Sequence, residues 1–176
     1  PFDGLKVADF SWVIVGPTTA KYLADHGATV VRVEAAAPLD ILRTAGPFKD
    51  GVPGADRTQF FGDINTSKLG ISLDLKNPAG LEIAKRLISW ADVVIESFRP
   101  GIVDSLGIGY EANREINPSV VMASTCLMGQ TGGAAAFSGY GFHAASIAGF
   151  YETTGWPDLA PDGPWVAYTD GVSPWI

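Results

Sequence analysis

Cysteine is nearly absent from this chain: Cys126 is the only thiol in 176 residues. A lone cysteine excludes an intrachain disulfide framework of the kind that staples small secreted domains. It follows Thr125 and precedes Leu127 and Met128, so it is expected to be a buried, inert thiol. Histidine is scarce too. His26 and His143 are too far apart in sequence to offer a metal-ligand spacing, so no metal is expected. Basic charge is also short, with 12 Lys and Arg against 19 Asp and Glu and a net charge of −7. Without a general positive field, neither nucleic acid nor an anionic membrane is an expected partner. Long apolar runs are missing as well. Val13 to Val15 and Ala144 to Phe150 fall far short of the roughly 20 residues a membrane span needs. These absences point to a cytoplasmic globular domain.

The chain is 47% hydrophobic and 18% charged, enough to bury one sizeable core, and its pattern alternates. Leu5 to Phe10 reads as a strand, Pro17 to His26 as a helix with proline in its first turn and Gly27 closing it, and Ala28 to Glu34 as a second strand. Residues 35 to 61 carry Pro38, Gly46-Pro47, Gly51 and Pro53-Gly54 and read as a long surface excursion with one short helix near Leu39 to Arg43. Gly70 to Leu75 alternates as a strand, and Asn77-Pro78 caps a helix that runs to Trp90. Val93 to Ile95 is a buried strand, Tyr110 to Ile116 a short helix, Ser119 to Ser124 a strand and Gly139 to Thr154 a helix of small residues. Strands alternating with helices predict an α/β fold with a mainly parallel sheet.

Two nucleotide signatures are missing. The loop Ser11 to Pro17 has one glycine where a dinucleotide fingerprint has three, and no phosphate-binding Lys-Ser/Thr pair. Gly107-Ile-Gly109 lacks both a preceding strand and a third glycine. What stands out instead is Asp92-Val-Val-Ile-Glu-Ser-Phe-Arg-Pro-Gly101, a buried strand that empties into a polar, aromatic and cationic turn. Ser97, Phe98 and Arg99 would stand beyond the strand's carboxyl end, where open parallel sheets hold ligands. Phe98 offers a flat face and Arg99 a fork that matches phosphate. The plain alternative is a solvated Arg99 with Phe98 packed on a helix.

Taken together, the segments resemble the family III CoA-transferases, the group that also holds α-methylacyl-CoA racemases. The resemblance runs through Leu5 to Phe10 with Val15-Gly-Pro17, Leu23 to Ala28, Val31 to Glu34, Asp40 and Arg43, Asn65 with Lys68, Leu73 to Pro78, Ala91 to Gly101, Leu106-Gly107 with Tyr110, Asn117-Pro118, Gly129 to Gly132, and Gly139-Tyr140. Each piece is weak alone; their order and spacing carry the match. The resemblance implies a Rossmann-like sheet with helices on both faces. It further implies that residues 1–176 are the N-terminal part of the large domain, with the small domain and a returning C-terminal segment outside this sequence. Members of the family are interlocked homodimers, so the intact parent is expected to be one, and the 176 residues alone are expected to be inactive.

The implied chemistry moves CoA from an acyl-CoA thioester to a carboxylic acid through an aspartyl-CoA intermediate. The match places the nucleophile at Asp170 of Val166-Ala-Tyr-Thr-Asp-Gly171; without it, Asp170 would read as a turn residue before glycine. CoA contacts carry over to Ile14 and Val15, to Leu73, Asp74, Leu75 and Lys76, to Ser97, Phe98 and Arg99, and to Tyr140. Three positions depart from the family pattern: Ala35 and Ser105 stand where basic residues are usual, and Ser97 where Asn is usual. A displaced phosphate contact is then expected at Arg43 or Lys68. Racemases of the group carry a histidine where this chain has Tyr140, and a phenol with a pKa near 10 is a poor base at neutral pH. Transfer is therefore expected over racemisation, with His143 a core or interface residue, or else one that faces the acyl pocket. A reading from another class is a non-catalytic CoA-binding or scaffold fragment.

Overall fold

The computed structural model describes residues 1–165 and 167–175. Five strands form one parallel sheet in the order β3-β2-β1-β4-β5: β1 Lys6–Asp9, β2 Thr29–Glu34, β3 Leu69–Ser72, β4 Val93–Glu96 and β5 Val121–Ser124. The apolar runs explain why the central strands sit inside. Val7 of β1 and Ile95 of β4 join Ala20 and Ala24 of α1 (Val15–Asp25) in one core cluster. Ala8 and Val94, their neighbours in sequence, join Ala84 and Ile88 of α3 (Pro78–Trp90) and Val103 of α4 (Ile102–Ser105) in the other. Successive side chains point to opposite faces, so an uninterrupted apolar run suits a strand covered by helices on both sides. Each fully buried Val or Ile contributes roughly 1.5–3 kcal/mol. The α/β reading of the sequence is thus met.

Local signals fix the element ends. Asn77 caps α3, its side chain accepting the Ala79 N–H at 2.9 Å with Pro78 in the first turn. The predicted strand Gly70 to Leu75 stops at Ser72, because the Asp74 carboxylate accepts the Lys76 N–H at 2.9 Å and closes a turn. The expected Gly139 to Thr154 helix is two pieces, α6 Gly141–Ile147 and α7 Phe150–Thr153, separated at Gly149, whose φ of 82° is left-handed. The 35 to 61 excursion holds 3-10 turns at Ile41–Thr44 and Lys49–Gly51. It then runs into α2, Gln59–Ile64, capped by Thr58 through the Phe61 N–H. α2 and α4 were not foreseen: each is too short to show a period. α5 is Tyr110–Ile116, as expected. Asp170 sits inside α8, Tyr168–Val172, while Val166 lies outside the described residues. No helix among the described residues is long and apolar enough to cross a membrane.

Because β2 and β3 extend the sheet to one side of β1, and β4 and β5 to the other, the chain reverses direction across the sheet between β1 and β4. The crevice beyond the carboxyl ends of these two strands is the expected ligand position.

Candidate active site

A cleft of about 640 Å³ occupies that crevice. Its walls are the β1–α1 loop (Trp12 to Val15), the β4–α4 loop (Ser97 to Pro100), the residues after β5 (Thr125 to Leu127), and a C-terminal wall with Phe137, Tyr140, His143, Thr169 and Asp170.

Buried charges position the first wall. Asp9, at the end of β1 and fully buried, accepts the Ser11 N–H at 3.0 Å and a Lys68 ammonium proton at 3.0 Å. Lys68 also donates to the Pro17 carbonyl at 2.7 Å and to Asn65 Oδ1 at 2.9 Å. Burial pulls the Lys68 pKa below its ordinary value, with Asp9 opposing the shift. Arg32 of β2 donates to the Ser11 carbonyl at 3.0 Å and to Asp40 at 2.6 Å. The turn therefore hangs from two buried ion pairs. Within it Val13 has a φ of 67°, a conformation that costs a β-branched residue on the order of 1–3 kcal/mol.

The second wall is tied to the first. Ser97 Oγ accepts the Trp12 N–H at 2.7 Å, which joins the two loops across the switch point. Glu96, 1% exposed, accepts the Phe98 N–H at 2.8 Å and faces the Gln130 amide at 3.4 Å. Burial raises the Glu96 pKa, opposed by hydrogen bonds from Ser124 and from the Phe98 N–H. Arg99 is exposed, and its guanidinium has no hydrogen bond or ion pair among the described residues. It is the cation of the cleft that stays available to an anion.

The third wall carries the carboxylate. Asp170 Oδ2 accepts the Gly141 N–H at 2.9 Å, and the neighbouring Thr169 hydroxyl donates to the Gly141 carbonyl at 2.7 Å. Any side chain at Gly141 would meet Asp170: a Cβ there would lie 2.7 Å from the Asp170 nitrogen and 2.8 Å from its carboxyl carbon. Burial raises the Asp170 pKa above the ordinary carboxylate value, and the Gly141 N–H opposes that shift. His143 accepts the Tyr140 N–H at Nδ1, 3.0 Å away, so a neutral ring carries its proton on Nε2. The cleft thus holds a half-buried carboxylate with one oxygen fixed, a free guanidinium and an apolar floor, a combination suited to an anionic ligand with a reactive carbonyl.

Of the residues singled out in the sequence, Ile14, Val15, Ser97, Phe98, Arg99, Tyr140 and Asp170 converge on this cleft. Others lie elsewhere. Leu73 is buried in the core with Leu75 packed against it, Asp74 closes its turn, and Lys76 is exposed to solvent. Arg43 lines a second cleft of about 430 Å³ beyond β2 and β3. There it is engaged by Glu34 and by Asp56 at 2.7 Å and stacks 3.7 Å above the Phe61 ring. Neither Arg43 nor Lys68 has a cation to spare, since Asp9 holds the latter. Cys126 is half-buried at the cleft wall, contrary to the expectation of a core thiol. Of the places open to His143, it takes the one at the cleft. Sequence reasoning passed over Trp12, Thr125, Leu127 and Phe137 as lining residues. The ends of β1 and β5 were the available signal for the first three; Phe137 had none. Among the described residues no three His, Cys, Asp or Glu side chains gather in a way that could hold a metal.

Comparison with known proteins converges on one group. The family described as CoA-transferase family III matches residues 2–175. The acetyl-CoA:oxalate CoA-transferase of Acetobacter aceti is 37% identical over 161 residues, which cover 92% of this chain and 40% of that protein. The succinate–glutarate CoA-transferase of Agrobacterium fabrum is 36% identical over 172 residues, 97% of this chain and 43% of that protein. A crystal structure of a CAIB/BAIF family protein from Brucella suis superposes with a TM-score of 0.88 at 35% identity, over 98% of this chain and 46% of that one. The chain therefore spans less than half the length of these relatives.

Proposed function

Because the chain belongs to CoA-transferase family III, we propose that the intact protein moves CoA from an acyl-CoA thioester to a carboxylic acid, with Asp170 as the nucleophile. The observation that carries this reading is the Asp170 carboxylate, desolvated in the switch-point cleft and fixed through Oδ2 by the Gly141 N–H. A carboxylate is a weak nucleophile, and stripping it of water while holding it in place raises its reactivity toward a bound thioester. Its oxygen adds to the thioester carbonyl and the C–S bond breaks, which leaves an acyl-aspartyl anhydride and CoA thiolate. The thiolate attacks the aspartyl carbonyl and expels the donor acid as a carboxylate, giving aspartyl-CoA. The acceptor carboxylate then attacks that thioester. CoA thiolate leaves, attacks the acceptor carbonyl of the new anhydride, and regenerates the Asp170 carboxylate.

Arg99 supplies the free charge for a CoA phosphate, while Ile14, Val15 and Phe98 supply apolar contact. The relatives named for oxalate, succinate and glutarate favour a small dicarboxylic acid as substrate. Residues 1–176 act in this reading as the Rossmann-like part of the large domain. The remaining contacts to the acyl group come from the rest of the intact protein and from a second copy of it. A cytoplasmic location fits CoA as substrate.

The test is covalent trapping. Intact protein incubated with acyl-CoA and then treated with hydroxylamine or borohydride is expected to carry the label on the peptide containing Asp170. Asp170→Ala is expected to lower turnover by more than about a thousandfold while CoA affinity stays within about threefold. Retention of a tenth of the activity, or label elsewhere, would remove Asp170 from its role. Solvent deuterium entering the α-carbon without transfer would point instead to racemisation.

A further inference from the structure

We propose that Asp40, which touches neither cleft, is a positioning residue for the CoA site, acting by holding Val13 in its left-handed conformation. The proposal deepens the reading of the switch-point cleft as the CoA site.

Asp40 lies outside the sheet, at the start of the Ile41–Thr44 turn, and is completely buried. Both of its oxygens are in use. Oδ1 accepts the Leu42 N–H at 3.0 Å, and Oδ2 accepts the Val13 N–H at 3.1 Å together with the Arg32 guanidinium at 2.6 Å. The same guanidinium holds the Ser11 carbonyl at 3.0 Å. One ion pair therefore grips the β1–α1 loop on either side of Trp12. Capping the turn needs only Oδ1, and a neutral Asn would serve there equally well. Oδ2 is spent on a loop 27 residues earlier in the chain.

That loop has a conformation it would not choose alone. Val13 at a φ of 67° places a β-branched side chain where glycine is the comfortable residue. Strain of this kind persists only when the surroundings over-determine it, and it gathers at ligand sites. Here the surroundings are Asp40 on the Val13 N–H and Ser97 on the Trp12 N–H. The strained turn points Trp12, Val13, Ile14 and Val15 at the cleft. Without the Asp40 charge, Val13 should relax to negative φ and swing this wall away from the bound substrate.

The test is a double-mutant cycle in the intact protein, with KM, kcat and direct CoA binding as readouts. Asp40→Asn keeps the size and the cap but not the charge. It is expected to raise KM and the CoA dissociation constant about tenfold, with kcat changed less than about threefold. Val13→Gly makes the left-handed turn strain-free, so Asp40→Asn added to it should shift KM less than about twofold. Equal effects of Asp40→Asn in both backgrounds would show a merely structural ion pair and overturn the proposal. Should Asp40→Asn fail to fold, amide hydrogen exchange of the unaltered protein decides. The Val13 amide is expected to be protected like those of β1, and rapid exchange would overturn the proposal. Because exchange is read without substrate, it also separates this proposal from the CoA reading, which fails if the unaltered protein binds no CoA.

Discussion

At the scale of single residues, the cleft is defined by what each charged group already holds. Arg43, Lys68 and Arg32 are committed to Glu34, Asp9 and Asp40, which leaves Arg99 to meet an anion. Arg99→Ala is therefore expected to raise KM for acyl-CoA about tenfold with kcat within about threefold, since a phosphate contact binds ground and transition states alike. Steady-state kinetics with a single donor would show this, and an unchanged KM would make Arg99 a solvated charge. Asp170 gives a pH prediction of definite sign. Burial raises its pKa, and in the proposed reaction only the ionised form attacks. Formation of aspartyl-CoA should thus fall as pH drops through a value above the ordinary aspartate pKa of about 3.9. Single-turnover trapping across pH would check it; an acid limb at or below the ordinary value contradicts a desolvated nucleophile. Most of these residues were legible in the sequence. Ser97 to Arg99 followed from their place beyond a buried strand, and Asp170 from resemblance alone. The commitment of Arg43 and Lys68 was not legible, because their partners lie up to 59 residues away and pair only through the fold.

At the scale of elements, the wall that carries Asp170 depends on how α6 docks on α8. The contact is made by Gly141 backbone on both sides: its N–H on Asp170 and its carbonyl on Thr169. Gly141→Ala would place a Cβ 2.7 Å from the Asp170 backbone nitrogen, closer than side-chain carbons come, so α8 must move. A displacement of that order at a nucleophile is expected to cut kcat by about tenfold to a hundredfold, with CoA affinity nearly unchanged because Arg99 and the β1–α1 loop are untouched. Comparing single-turnover rates with CoA binding would check it, and unchanged turnover would mean that this wall is soft. The elements themselves were readable where a physical signal is strong: Asn77-Pro78 opening α3, and apolar runs at Val7-Ala8 and Val94-Ile95. They were missed where the signal is short-range and competing. Asp74 ends β3 through its own side chain, Gly149 splits α6 from α7, and α8 comprises only five residues.

At the scale of the molecule, the two halves of the chain differ in how well they cover themselves. The sheet and its helices bury an apolar core on each face. The C-terminal wall instead leaves Trp156 74%, Leu159 65%, Trp165 88% and Trp175 63% exposed. Three tryptophans and a leucine this exposed on one stretch of chain mark a surface that another surface covers. In the reading proposed above, the covering surface belongs to a second copy of the intact protein. The 176-residue chain by itself is then expected to self-associate with increasing concentration and to bind an apolar dye, because these side chains stay 63% or more exposed. Its charge of −7 opposes that association, so salt, by screening the repulsion, should strengthen it. Sedimentation at several loadings and two ionic strengths, with dye fluorescence in parallel, would decide. A dye-silent monomer at all loadings, melting cooperatively, would show that these aromatics cover themselves and that the 176 residues form a self-sufficient unit.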